Sequence, residues 1–441
     1  MHNRHEVFVN NDEILQLRQK HLYPTKVPYY KTPLHLVRAK GSYVWDDKGE
    51  KYLDVIGGIV SISVGHNHPR IVKKIKTMLE SDAIQHTTFL YLSEYMPELA
   101  KKLAEVAPKG LTKCYLTNSG SEANEMAVLS ARTFTGEPMV VGLQHGYHGG
   151  TTTPLSLCGH STWKFRSQPQ ACVTHAKAPY CYRCPFGQKK ESCNLECADD
   201  VKETILTTTS GKIAAFICEP ILGVGGFIEP PVGYHKKVYD IVKSFGGLYI
   251  SDEVQTGVGR TGLHFFAIED SGVEPDIISM AKGIGNGAPM GAIIARAEVA
   301  DSLKGKLHFN TFGGDPYQAM QAATTIDIIR DEGLIENANK MGRYLKEGLQ
   351  ELQKSFPVIG DIRGRGLLLG LELVKNQKTK EVASAEAAQI LEFAKEEKLL
   401  IGKGGLFANV IRLAPPLNIS KAECDELLGK MKRAFEKLAK A

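Results

Sequence analysis

The chain has 441 residues, 43% of them hydrophobic and 23% charged, which is enough to bury a large core and ordinary for a globular protein. Its net charge is only +5 and is spread along the sequence, so lysine-rich stretches such as Lys73-Lys74-Ile75-Lys76 read as solvated helix faces and no nucleic-acid partner is expected. No run approaches the roughly 18 apolar residues of a membrane span, the polar opening Met1-His2-Asn3-Arg4-His5-Glu6 leads into no secretory core, and the expected location is the cytoplasm with no membrane partner.

In chain order, residues 12–40 read as a helix followed by an extended arm that carries Tyr29 and Tyr30. Residues 41–60 alternate like a small hairpin, with Asp46-Asp47-Lys48-Gly49 as its turn. From about 70 to 315, short apolar runs alternate with helical patterns. The runs include Lys113-Cys114-Tyr115-Leu116, Pro138-Met139-Val140-Val141 and Ala214-Ala215-Phe216-Ile217-Cys218. That alternation predicts an α/β fold with a mostly parallel sheet between helices. Beyond 320 helices dominate again, while residues 366–373 and 410–413 predict a small second sheet.

Nine cysteines without a secretory signal argue against a disulfide framework. Four of them cluster in one loop segment: Cys181, Cys184, Cys193 and Cys197. The spacing resembles a structural zinc site. Reduced thiols on a surface insertion, or a local disulfide, fit it as well. No metal is assigned to the active centre.

Two apolar runs end on charge. Gly247-Leu248-Tyr249-Ile250-Ser251 leads into Asp252, and Asp276-Ile277-Ile278-Ser279-Met280-Ala281 leads into Lys282. In a parallel α/β sheet, ligands bind at the carboxyl ends of the strands. A lysine and an aspartate there suit pyridoxal 5'-phosphate: the lysine forms the Schiff base, and the acid keeps the pyridine nitrogen protonated. A structural ion pair is the plain alternative. Upstream, Thr117-Asn118-Ser119-Gly120-Ser121-Glu122 follows a strand and opens a helix, which is either a phosphate cradle or an ordinary capped helix start. The run Gly283-Ile284-Gly285-Asn286-Gly287 lacks dinucleotide-loop spacing, and its glycines instead allow a close backbone approach.

Residues 252–262, Asp252-Glu253-Val254-Gln255-Thr256-Gly257-Val258-Gly259-Arg260-Thr261-Gly262, together with Ala281-Lys282-Gly283, resemble the signature of the class III aminotransferases, and the likeness runs from about Tyr43 to the C-terminus. The resemblance implies a fold-type-I enzyme. Residues 1–70 would form an arm and part of a small domain, 71–318 the large cofactor-binding domain, and 319–441 the rest of the small domain. Lys282 and Asp252 would be catalytic. Gly120 and Ser121 would cradle the phosphate, Tyr147 would stack on the ring with His148 beside it, and Val254 would pack on the opposite face. Gln255 would bond the phenolic oxygen, with Glu219 near the ring. Thr311 would reach the phosphate of a neighbouring subunit, which makes the enzyme a homodimer or a dimer of dimers. Arg412 would bind the substrate carboxylate, and side chains near Tyr29, Tyr30, Val60, Ser61 and Phe89 are expected to shape the pocket, with Tyr30 and Val60 taken as substrate-binding. Taken alone, Tyr147 reads as a loop anchor, Thr311 as a turn residue and Arg412 as a strand-edge cation.

One departure narrows the substrate. The ornithine, acetylornithine and 4-aminobutyrate types carry a glutamate five positions after the glutamate of their Glu-Pro motif, and it gates the carboxylate-binding arginine. Here Glu219-Pro220 is followed by Val224 at that place. Valine cannot neutralise Arg412. The resemblance therefore favours the types that pass an amino group from an amino acid or omega-amino acid to pyruvate or glyoxylate. Alternatives are a 2-oxoglutarate-using 4-aminobutyrate or ornithine type, a decarboxylase, an aminomutase or a phospholyase of the same family, and a non-catalytic relative acting through its cysteine loop.

Overall fold

The computed structural model describes residues 10–25, 28–167 and 172–441, so the reading of residues 1–6 lies outside the described residues. After a helix over Asn11–His21, strands β1 (Leu36–Lys40), β2 (Tyr43–Asp46) and β3 (Lys51–Asp54) form an antiparallel meander. Asp46 fixes the expected turn, because its Oδ1 accepts the N–H groups of Lys48 and Glu50 at 3.1 and 2.8 Å. Gly49 supplies the left-handed corner at φ +81°.

The central sheet consists of β4 (Leu111–Thr117), β5 (Val140–Leu143), β6 (Val173–Ala176), β7 (Ala215–Cys218), β8 (Leu248–Asp252), β9 (Ile277–Ala281) and β10 (Gly291–Arg296), in the order β4-β10-β9-β8-β7-β5-β6. Strands β5 to β9 pair in parallel, and β10 lies antiparallel between β4 and β9. Every residue of β5, β7, β8 and β9 is buried, which is why these segments read as unbroken apolar runs. Sequence reasoning missed β6 and β10. β6 is an edge strand that is only partly buried, and β10 follows β9 with only a three-residue 3-10 turn between them and no α-helix, and so escapes the alternation rule.

The C-terminal part adds β11 (Ile359–Arg365), β12 (Leu368–Leu373), β13 (Leu399–Leu400), β14 (Gly402–Gly404) and β15 (Val410–Leu413). The two runs expected to form a small second sheet, now β12 and β15, are neighbours in one four-stranded sheet, while the unforeseen β13 joins a second four-stranded sheet with the N-terminal meander. β11-β12-β15-β14 is antiparallel, whereas β13 leaves it to pair in parallel with β3, setting Leu399 opposite Leu53. Among the described residues no helix is long and apolar enough to cross a membrane.

The cysteine segment is pinned to the C-terminal sheet by a buried charge cluster. Glu372 on β12 accepts from Arg363 at 2.7 Å, from Arg183 at 2.5 Å and from the Tyr180 hydroxyl. Cys181, Cys184, Cys193 and Cys197 line one small cavity and are all free thiols. Burial pushes the Cys197 thiol up to about 12 and raises Cys181 as well. Among the described residues, no group of three or more His, Cys, Asp or Glu side chains is arranged to hold a metal ion.

Candidate active site

The carboxyl ends of β4, β5, β7, β8 and β9 open on one edge of the sheet, and each delivers part of a cleft. β8 ends on Asp252 and β9 hands over to Lys282. Asp252 is 2% exposed and tightly held. Its Oδ2 accepts from His148 Nδ1 at 2.7 Å and from the Asn124 amide at 2.7 Å, while Oδ1 takes the N–H of Val254 at 3.0 Å. Burial alone would lower the pKa of His148, but its bond to Asp252 outweighs that and raises it. Asn124 also donates to the His148 carbonyl at 2.8 Å and accepts the Ser279 hydroxyl from β9. Asn124 was not singled out as a functional residue in the sequence. It lies in the motif at 117–125, one helical turn after Gly120, and that spacing was the available signal.

Lys282 stands at φ +51° in the left-handed region, a strained backbone of the kind concentrated at functional sites. It is partly accessible at the floor of the cleft, yet enclosure by protein brings its pKa down to about 8, with the charges of Asp252 and Glu219 acting in the opposite sense. It forms no ion pair among the described residues. Glu219, at the end of β7, bridges two loops: Oε1 accepts the Tyr147 N–H at 3.0 Å and Oε2 the Gly223 N–H at 2.7 Å. Burial, then the nearby Asp252 charge, pushes Glu219 up to about 7.

The helix Gly120–Thr135 points its N-terminus into the cleft, with the Ser119 side chain capping the Glu122 N–H at 3.2 Å. Its first N–H groups have no helical carbonyl to meet and face the site as anion donors. A Cβ on Gly120 would come within 3.0 Å of Val254, and one on Gly149 within 2.5 Å of Ser121 Oγ, so both glycines keep a cradle open. Tyr147 is braced edge-on by Trp163, with ring centroids 5.0 Å apart, a partner the sequence did not reveal. Gln255 is 4% exposed and packs against Gly223, leaving an amide oxygen unpaired; His148 Nε2 is also buried and unpaired. Buried donors and acceptors without partners are uncommon. Together with the glycine-lined cradle and the lone lysine, they fit a polar planar cofactor bearing a phosphate.

Arg412 on β15 is 7% exposed. It makes one long hydrogen bond, Nη1 to the Gly223 carbonyl at 3.4 Å, its Nε is unpaired, and its guanidinium carbon lies 5.4 Å from the Phe227 ring. Burial lowers its pKa, and Tyr29 is the first of the groups that support its charge. Tyr30 sits elsewhere: it packs on Val44, Tyr52 and Leu400, with Lys395 5.0 Å over its ring. Tyr29, not Tyr30, is therefore within electrostatic reach of Arg412. Nothing separates two adjacent tyrosines on an irregular arm in the sequence. Val60 is buried with Ile221 and Phe227 in an apolar cluster. Thr311 is exposed on a turn beside Asn310, which bonds Asn118 at 3.0 Å.

Comparisons with known proteins agree with this geometry. The family model "aminotransferase class-III" matches residues 25–435. The chain is 42% identical to the mitochondrial alanine–glyoxylate aminotransferase 2 homolog 2 of Arabidopsis thaliana, over 97% of this chain and 88% of that one. It is 36% identical to a leucine/methionine racemase of Thermococcus litoralis, over 97% and 96%. The solved structure of an (S)-enantioselective omega-transaminase from Thermomicrobium roseum superposes with a TM-score of 0.90 at 32% identity, covering 98% of this chain and 99% of that one. With its strand-end lysine and aspartate set in a family model that spans most of its length, this chain belongs to the class III aminotransferases, PLP-dependent enzymes of fold type I.

Proposed function

We propose that the enzyme transfers an amino group from an amino acid or omega-amino acid to a small keto acid such as pyruvate or glyoxylate. The observation that carries the acceptor class is Arg412, a buried guanidinium without a carboxylate partner among the described residues. A buried charge left unpaired is costly, so the site is built for an incoming anion. Val224 offers nothing that could occupy it instead.

Bound pyridoxal 5'-phosphate supplies an electron sink for the carbon that carries the amino group. The side chains do the rest. Lys282 Nζ, whose pKa enclosure brings down to about 8, is the amine that would take a proton from that carbon and return one after the exchange. Asp252, braced by His148, Asn124 and the Val254 N–H, is the carboxylate that would pair with the pyridine nitrogen. Gly120, Ser121 and the helix end would hold the phosphate, Tyr147 and Val254 would hold the ring, and the Gln255 amide would bond its phenolic oxygen. Arg412 orients the carboxylate, with Tyr29 beside it and Val60 in the apolar wall.

A donor-by-acceptor panel with pyruvate, glyoxylate and 2-oxoglutarate tests the reading. Pyruvate or glyoxylate should be consumed one for one with keto-acid release from the donor, and Arg412→Ala should raise the acceptor KM about tenfold to a hundredfold. Inversion of a chiral amino acid with no acceptor present would instead support a racemase. Equal use of 2-oxoglutarate would reject the narrow acceptor class.

We also propose a homodimer. Around Thr311 the isolated chain exposes Phe89, Leu92, Leu307, Phe309 and Phe312, with Leu307 94% exposed and Leu92 fully so. An apolar patch of this kind rarely faces water. Sedimentation across dilution should show activity vanishing with dissociation; a fully active monomer would sink the proposal.

A further inference from the structure

We propose that Gly404 is a positioning residue that sets the place of the Arg412 guanidinium and, through it, the preference for carboxylate-bearing substrates. This rests on the reading of Arg412 as the carboxylate site. Arg412 lies between β12 and β14, opposite Gly370 on one side and Gly402 on the other. Its stem runs along a face of β14 that carries no side chains. A Cβ on Gly404 would stand 2.9 Å from Arg412 Cδ, 3.0 Å from its Nε and 3.3 Å from the Val224 carbonyl oxygen. On Gly402 it would stand 3.3 Å from Arg412 Cβ. Phe227 closes the other side with its ring 5.4 Å from the guanidinium carbon.

Among the described residues no ion pair holds this arginine, and its one hydrogen bond is long at 3.4 Å. Its position is therefore set by packing, between a bare glycine strand and an aromatic face. The same strand fixes the Val224 loop, because the Gly405 N–H donates to the Val224 carbonyl at 2.9 Å. The segment that lacks a gating carboxylate and the segment that seats the arginine are thus one backbone-paired unit.

Gly404 has strand backbone and is not in the left-handed region, so alanine there is conformationally admissible. The added methyl would meet the far end of a flexible arginine before it met buried backbone, and the arginine is what should yield. Gly404→Ala should displace the guanidinium while leaving the thermal unfolding midpoint unchanged. The expected result is a split. The pyruvate KM rises about tenfold while kcat at saturation stays within about threefold. The kcat/KM for benzylamine, a donor without a carboxylate, measured at saturating pyruvate, changes less than about twofold. Calorimetry on the cofactor-free protein should show propionate binding weakened about tenfold as well.

Unchanged pyruvate KM and propionate affinity in Gly404→Ala, with both impaired in Arg412→Ala, would overturn the proposal and leave the carboxylate site standing. Unchanged propionate binding in Arg412→Ala would remove the carboxylate reading itself. An equal loss of kcat for both donor kinds would assign Gly404 a structural role and reject the inference. Should Gly404→Ala fail to fold, Phe227→Leu, which loosens the other wall, must raise the pyruvate KM without lowering kcat; an unchanged KM in that folded variant rejects packing as the determinant.

Discussion

Replacing Lys282 with alanine should lower turnover by at least about ten-thousandfold while leaving the unfolding transition in place. One amine would be both the covalent anchor and the proton carrier. Among the described residues the side chain makes no ion pair whose loss would destabilise the fold. A variant that still transaminates near the parent rate would remove the central assignment. The same residue sets a pH signature. Enclosure has lowered its pKa from 10.5 to about 8, so the free amine accumulates above that pH and is protonated below it. Uptake of pyridoxal 5'-phosphate by the cofactor-free protein, followed by absorbance, should accelerate with a midpoint near pH 8; a midpoint near the ordinary lysine value of 10.5 would show an amine in contact with bulk water.

Asp252→Asn should reduce the rate at least about a hundredfold, because an amide keeps the shape of the pocket but carries no charge to hold a pyridine nitrogen protonated. The surroundings sharpen this expectation. His148 owes its raised pKa chiefly to Asp252, with Glu219 adding to it, so in the variant burial weighs more and the imidazole pKa should fall. Titration of His148 by NMR in parent and variant separates this from a local distortion. A rate within about threefold of the parent would mean that another group faces the ring nitrogen.

The legible parts of the molecule are those where one residue type has few reasons to be present. A charged residue closing a fully apolar strand is such a case, and Asp252 and Lys282 were readable before any coordinates. The fully buried parallel strands were readable because burial on both faces leaves an unbroken apolar run, whereas the half-buried parallel edge strand β6 was not. Asn124 was not, since an asparagine inside a helix looks like any other polar residue until Asp252 is placed over it. Phe227 was not, nor which of Tyr29 and Tyr30 faces Arg412, because these depend on where an irregular arm and a glycine-rich loop meet β15. The division into two small sheets turns on Leu399 and Leu400, a strand of two residues with no period to detect.

The pairing of β13 with β3 has a consequence for biosynthesis. On the ribosome β3 emerges long before its partner, because Leu53 pairs with Leu399. Until that segment is made, β3 presents an open edge of the kind that invites mispairing with other chains. Closure of that edge and arrival of Arg412 come from the same late stretch of polypeptide. A nascent chain therefore carries Lys282 and Asp252 well before it carries Arg412, the residue on which the carboxylate reading depends.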